Sequence, residues 1–251
     1  VNLGSQCNAF WNGETTNFLA EGPTCNNMAQ IADVVFHEFG HGLHQSLRIT
    51  GVLDGSIGEG SGDYVASTIT GDPDMAPNFS KSGGVLRSAN NKKRYPDDLL
   101  NRIHEDGEIW SGTMWDLRTK FVDKYGAARG AHAADKLFVD ILRSGPRFED
   151  LYTEALLADD DDGDLANGTP NICEIEDVLS ERGLAPGVSS RLPIQHDEIT
   201  GFVSYDAPIV MHATALKGES ACAVGDPDTV HILWSTGGDF QKQALSPTGT
   251  D

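Results

Sequence analysis

His37, Glu38 and His41 stand together in the stretch HEFGH. Positions four apart on a helix lie one above the other on the same face, so both imidazoles can reach a single ion. Glu38 projects from the next position round, beside that ion and within reach of a water on it. This is the HExxH arrangement of zinc hydrolases, a signal whose weight depends on the residues further along the chain.

Glu59 comes next, in GEGSGDYVASTITG at 58–71. Its distance from His41 leaves room for a turn and a returning helix. Glu59 can complete a two-histidine, one-carboxylate zinc site whose fourth position stays open, the catalytic pattern. Asp63 lies four residues further on and faces the same way. It can accept the free ring N–H of a ligand histidine, which we take to be His37, and so fix its tautomer. An acidic first turn that favours the helix dipole explains either carboxylate singly, but not the pair at this distance from HExxH. A metzincin site would need glycine and histidine where His44 and Leu47 stand, so that geometry is excluded. His44 reads as a residue of the helix surface or one that backs a ligand.

These residues need elements to carry them. Ile31, Val34, Val35, Phe39 and Leu43 recur at helical spacing and predict a helix over 29–47 with that apolar stripe turned inward. Gly40 and Gly42 inside it imply a close neighbour against the backbone. CNAFWNG at 7–13 reads as a short strand ending in an Asn-Gly turn, and 14–28 as a loop. Residues 72–96 read as a long loop without assignable chemistry. A helix is expected over 101–126, with Ile109, Leu117 and Phe121 on its apolar face, Trp110 and Trp115 alongside, and His104 just before it. Further helical patterns cover 131–143 and 148–158. Pro170 in the first turn and Gly183 past the end bracket another. Between these lies the acidic loop 158–171, where Asp160, Asp162 and Asp164 are candidate calcium ligands without EF-hand spacing. A solvated acidic loop accounts for the same composition equally well.

The 251 residues suffice for one large domain or a medium domain with a small one. A net charge of −20 argues against nucleic acid or an anionic membrane surface as partner, and fits a secreted protein. No apolar run approaches the roughly 18 residues of a membrane span. The chain opens on Val1 without a signal-like segment, and we read it as a piece processed or excised from a longer protein. Of the four cysteines, Cys7 and Cys25 bracket a short segment that a disulfide could close in an oxidising compartment, with Cys173 and Cys222 as the weaker remaining pair. From about residue 189 alternation replaces helical period. A boundary near 185–190 therefore divides the domain that carries the zinc motif, 1–188, from a β-rich segment, 189–251, resembling a truncated immunoglobulin- or fibronectin-like sandwich.

HEFGH at 37–41, GEGSGD at 58–63 and HEDGEIW at 104–110, in that order, resemble the thermolysin and fungalysin group of zinc endopeptidases, and fungalysin-like secreted bacterial proteases in particular. CNAFWNG resembles the edge strand with which such enzymes hold substrate, and NGTPNICEIEDVLSERGL at 167–184 resembles the last helix of the catalytic lobe. The resemblance implies a mainly α catalytic lobe with a zinc-binding helix and a short β edge strand, an α+β arrangement. It implies zinc on His37, His41 and Glu59, with Glu38 as general base and then acid. Asp63 would be the brace and His104 the donor to the developing oxyanion. Asn8 and Ala9 would hold a protein or peptide substrate outside the cell or on its surface. The chain departs from the pattern twice. Residues 42–58 contain no tyrosine to assist His104, and residues 1–36 are too few for the family's β-rich lobe, so part of the cleft wall is expected outside this chain. Two rival readings are a zinc aminopeptidase and a non-catalytic adhesion or binding module that keeps a metal site.

Overall fold

The computed structural model describes residues 2–185 and, beyond them, 194–196, 213–215, 222, 231–234, 241–244 and 246. The chain divides into two units, Val1–Pro186 and Gly187–Asp251.

The first unit begins with a three-stranded sheet in the order β1 (Asn2–Gln6), β3 (Thr16–Ala20), β2 (Ala9–Trp11). β2 runs antiparallel to β3, with Ala9 opposite Phe18 and Trp11 opposite Thr16. It lies at one edge of this sheet, so its outer backbone groups are free of sheet partners among the described residues. The strand expected at 7–13 is thus present in its middle. The loop expected over 14–28 is not: TNFLA forms β3 by pairing with β1 on one side and β2 on the other, although its polar-then-apolar run carries no alternating period.

Among the described residues, six α-helices come after the sheet: α1 (Ala32–Leu47), α2 (Gly55–Thr70), α3 (Ile103–Tyr125), α4 (Ala127–Arg143), α5 (Leu151–Asp159) and α6 (Ile172–Glu181). Each of the first four packs on the next. Their shared core holds Ile57, Tyr64, Ile109, Trp110, Met114, Leu117, Phe121 and Phe138, all at most 2% exposed. Each such side chain contributes on the order of 1.5–3 kcal/mol by leaving water. α2 has clear ends. Asp54 accepts hydrogen bonds from the Ser56 and Ile57 N–H groups at its start, a cap worth about 1 kcal/mol, and Gly71 closes it with φ of 73°.

Several sequence expectations shift. The buried face of α1 carries Asp33, Val34, His37, Glu38, Gly40, Gly42 and His44, whereas Phe39 is 54% exposed. The expected apolar stripe therefore does not define the inward face; the side that meets α2 is the one with small and ionisable residues. α3 begins at Ile103, which puts His104 in its first turn rather than before it. Within 72–96 lies a small antiparallel pair, β4 (Asp74–Met75) and β5 (Arg87–Ser88). Pro170 precedes the N-cap Asn171 of α6 and is outside its first turn. Cys7 and Cys25 form a disulfide, and no described cysteine is free.

In the second unit, β6 (Ile194–His196) pairs with β7 (Ala213–Ala215) and β8 (His231–Trp234) with β9 (Gln241–Ala244), both antiparallel. The sandwich expected over 189–251 otherwise lies outside the described residues. Among the described residues, no helix is long and apolar enough to cross a membrane.

Candidate metal centre

The site exists because α1 and α2 approach closely. A Cβ on Gly40 would stand 2.7 Å from the Gly62 Cα, and one on Gly62 would stand 2.7 Å from the His37 ring. Neither fits, so glycine at both positions lets the helices meet with the imidazole between them. On the other side of α2, a Cβ on Gly60 would meet the Gly107 carbonyl oxygen at 2.3 Å, which brings α3 equally near. Trp110 of α3 fixes that contact by donating its indole N–H to Ser61 Oγ at 3.1 Å.

His37, His41 and Glu59 each offer a ligand atom, and the three lie within 4.8 Å of one another. Glu59 Oε2 is 3.3 Å from His37 Nε2 and also 3.3 Å from His104 Nε2, while Glu59 Oε1 is 3.8 Å from His41 Nε2. Oε2 is nonetheless buried without a hydrogen bond, as is Glu38 Oε2 beside it. Uncapped carboxylate oxygens are costly in a protein interior. The Glu59 carboxylate facing the His37 and His41 Nε2 atoms forms a donor set of the nitrogen and oxygen type that zinc takes. The residues therefore fit that ion.

Behind the ligands, His37 Nδ1 and Asp63 Oδ1 are 2.8 Å apart. Arg87 clamps Asp63 from the opposite side, with Nε at 2.7 Å from Oδ2 and Nη2 at 2.8 Å from Oδ1. Burial opposes ionisation of Asp63, but the hydrogen bonds from Arg87 and His37 outweigh it and hold its carboxyl well below the usual range. An ionised carboxylate only accepts, so Nδ1 of His37 carries the proton and Nε2 is the atom left to face Glu59. Arg87 came from the stretch that had no assigned chemistry. A lone arginine in a two-residue strand has no periodic signal, and only its clamp on Asp63 identifies it.

The ionisable groups are strongly coupled. Burial works against a proton on His37, yet Asp63 and the neighbouring Glu59 raise its pKa to about 9. Burial and the positive charge of His37 lower His41 to about 4. Burial pushes Glu38 up to about 7, aided by Glu59 and opposed by His37. Burial also raises Glu59, but the three surrounding histidines bring it below its ordinary value. A cation on the nitrogen and oxygen donors would compete with these protons.

An open cleft of about 470 Å³ runs over these groups. Asn8, Ala9, Phe10 and Trp11 form one wall; His37, Glu38, His41 and Glu59 form the floor; Leu53, Ile103 and His104 stand at another side. Val34, Met75, Phe79 and Leu86 add an apolar stretch beside Arg87. Trp11 is tied to α1: its indole N–H donates to Gln45 Oε1 at 2.8 Å, and its ring covers Gly42. The close neighbours expected of Gly40 and Gly42 are thus α2 and Trp11. His44 is 4% exposed with Nε2 lacking a hydrogen bond, so it belongs to the interior and not to the helix surface.

The acidic loop contributes no lining residue to this cleft. Its converging carboxylates are those of Asp160, Asp161 and Asp162, not the alternating set, and Asp164 joins no such group among the described residues. Instead, Asp164 Oδ1 accepts the Ala166 N–H and Asp160 Oδ1 accepts those of Asp162 and Gly163. These are the local turn bonds that short acidic side chains make without an ion.

The sequence profile of the fungalysin metallopeptidases matches residues 19–188. That span begins after β2, so Asn8 and Ala9 lie outside it. Among curated relatives, extracellular metalloproteinase 1 of Trichophyton equinum is 28% identical over 196 residues, covering 62% of this chain and 31% of the relative. Extracellular metalloproteinase 5 of Arthroderma gypseum is 27% identical over 197 residues, covering 62% and 30%. The corresponding figures for extracellular metalloproteinase 1 of Arthroderma otae are 26% over 196 residues, 62% and 30%. The chain spans about 30% of the length of these relatives.

Proposed function

Since the chain belongs to the fungalysin metallopeptidase family, we propose that it carries the metal centre of a secreted zinc-dependent endopeptidase. The observation that carries this reading is the convergence of His37, His41 and Glu59, with Glu38, whose Oε2 is buried without a hydrogen bond, lining the same cleft. Extracellular relatives and the Cys7–Cys25 disulfide support secretion.

In this proposal His37 Nε2, His41 Nε2 and Glu59 hold zinc, and Asp63, clamped by Arg87, fixes the ring of His37. Zinc bound there supplies Lewis acidity, which lowers the pKa of water and polarises a carbonyl. Glu38 takes a proton from the attacking water and delivers it to the leaving amine. His104, whose Nε2 faces the floor from the first turn of α3, donates to the carbonyl oxygen as negative charge grows there. The outer edge of β2, with Asn8 leading into it, pairs with an extended peptide by strand addition, which reads backbone more than side chain. Val34, Met75, Phe79 and Leu86 favour an apolar side chain next to the cleaved bond.

The protein containing this chain is expected to hold zinc, to hydrolyse an N-terminally blocked protein substrate, and to stop when the metal is chelated. Glu38→Gln should keep the metal and lose peptide hydrolysis. Undiminished hydrolysis by that variant would remove Glu38 from its role, and zinc without hydrolysis in the parent would refute the peptidase reading itself.

A further inference from the structure

β2 is only three residues long and has a sheet partner on one side, so its own ladder does little to set its distance from His37 and Glu38. Its far end is held by the Trp11–Gln45 hydrogen bond. Its near end is preceded by Cys7, where the backbone reverses with φ of 61° and the sulfur is bonded to Cys25. Cys25 is 1% exposed and packs with Met28, Val34, Met75 and Ala76, and Cys7, Ala9 and Phe79 pack against the same cluster. Val34 lies one turn ahead of His37. The segment around Cys25 is docked in turn by its backbone: the Asn26 N–H donates to the Phe79 carbonyl at 3.0 Å and the Lys81 N–H to the Thr24 carbonyl at 2.9 Å. Gly22 closes over the cross-link, since a Cβ there would stand 2.7 Å from Cys7 Sγ. The disulfide therefore joins the start of the cleft-wall strand to the packed layer under the ligand helix, not to a surface loop.

We propose that the Cys7–Cys25 disulfide is a positioning element of the substrate strand, setting the distance of Ala9–Trp11 from Glu38 and the metal ligands. It touches neither peptide nor ion and acts through the strand. The inference rests on the reading of the cleft as a peptide site. A strand edge already in place loses less freedom on taking up an extended peptide than one that must first be ordered, so the cross-link supports binding more than chemistry.

The test compares the full protein with its Cys7→Ser/Cys25→Ser variant, both also in a Glu38→Gln background so that peptide is bound and not cut. Three quantities are measured: zinc content, amide hydrogen exchange of residues 9–11 and of α1, and the Kd of a blocked, extended apolar hexapeptide. Zinc content and α1 exchange should match the parent. Exchange in 9–11 should quicken about tenfold or more, through local opening confined to the strand, and Kd should rise about tenfold. Parental exchange and Kd without the disulfide would overturn the proposal. So would loss of zinc and of α1 protection together with the strand, because the cross-link would then be a global stabiliser. Should the double variant fail to fold, Gly22→Ala keeps both cysteines and presses on Cys7 Sγ. It should shift 9–11 and Kd in the same direction with α1 intact, and parental values there overturn the proposal equally. A Glu38→Gln parent that holds zinc but binds no extended peptide refutes the peptidase reading instead, and the exchange comparison still reports what the disulfide does to the strand.

Discussion

His37 and His41 lie one turn apart on α1 and offer the same atom to the same point, yet their surroundings are opposite. The His37 side chain is 7% exposed, and its second nitrogen is bound to Asp63, itself held by two hydrogen bonds from Arg87. The His41 side chain is 21% exposed, and among the described residues its second nitrogen has no hydrogen-bond partner. His44 and Gly58 lie on that side, and the backbone of Gly58 leaves room for the His44 ring. One half of the centre is thus built into the contact between α1 and α2, and the other faces the cleft. Helical spacing alone brings two imidazoles to one face of α1; rigidity comes from the partner helix, and it is applied to the more buried of the two.

Removing the brace should have the largest effect. Asp63→Ala leaves the Arg87 guanidinium, 12% exposed, without its counter-charge, at a cost of about 3–5 kcal/mol in denaturant unfolding. Zinc affinity, read by chelator competition, should fall about 10–100-fold. The matching change on the other half, His44→Gln, should leave zinc affinity at the parental level; a loss as large as that of Asp63→Ala would abolish the contrast between the halves. Next in size is His104→Ala, expected to lower kcat/KM about 10²–10³-fold with zinc affinity unchanged. Weaker zinc binding in that variant would make His104 a ligand-side residue and enlarge the open half. The smallest effect belongs to Phe39→Ser on the outward face of α1, which should move stability by no more than about 0.5 kcal/mol. A large loss in thermal or denaturant unfolding would restore the apolar stripe as the inward face.

The halves also differ in how much of them the sequence disclosed. HExxH with Glu59 and Asp63 after it is a pattern of spacings, and spacings on helices survive folding unchanged, so those residues were readable along with the helices that carry them. Asp63 facing His37 was readable for the same reason. Arg87 was not, because it reaches Asp63 from a two-residue strand whose position depends on tertiary contacts alone. Phe39 misled for a related reason: hydrophobicity marks the inward face only when the neighbour is apolar, and here the neighbour is a glycine-lined helix that needs small residues opposite it. β3 was hidden because TNFLA, two polar residues followed by three apolar ones, has no period-2 alternation to separate it from a loop. In the acidic loop composition did not disclose which side chains converge: Asp160, Asp161 and Asp162 do so, while Asp164 accepts the Ala166 N–H.

The free edge of β2 has one more consequence. A peptide can align along it only after giving up its own internal pairing over several residues. Under the proposed function, a target's susceptibility would therefore track the free energy of locally unfolding the segment to be cut more closely than the identity of its side chains. Denatured chains, tails and mobile loops would be consumed first. Intact domains would be spared in proportion to how seldom they open, which makes target stability, and with it temperature, the main selector of what this cleft digests.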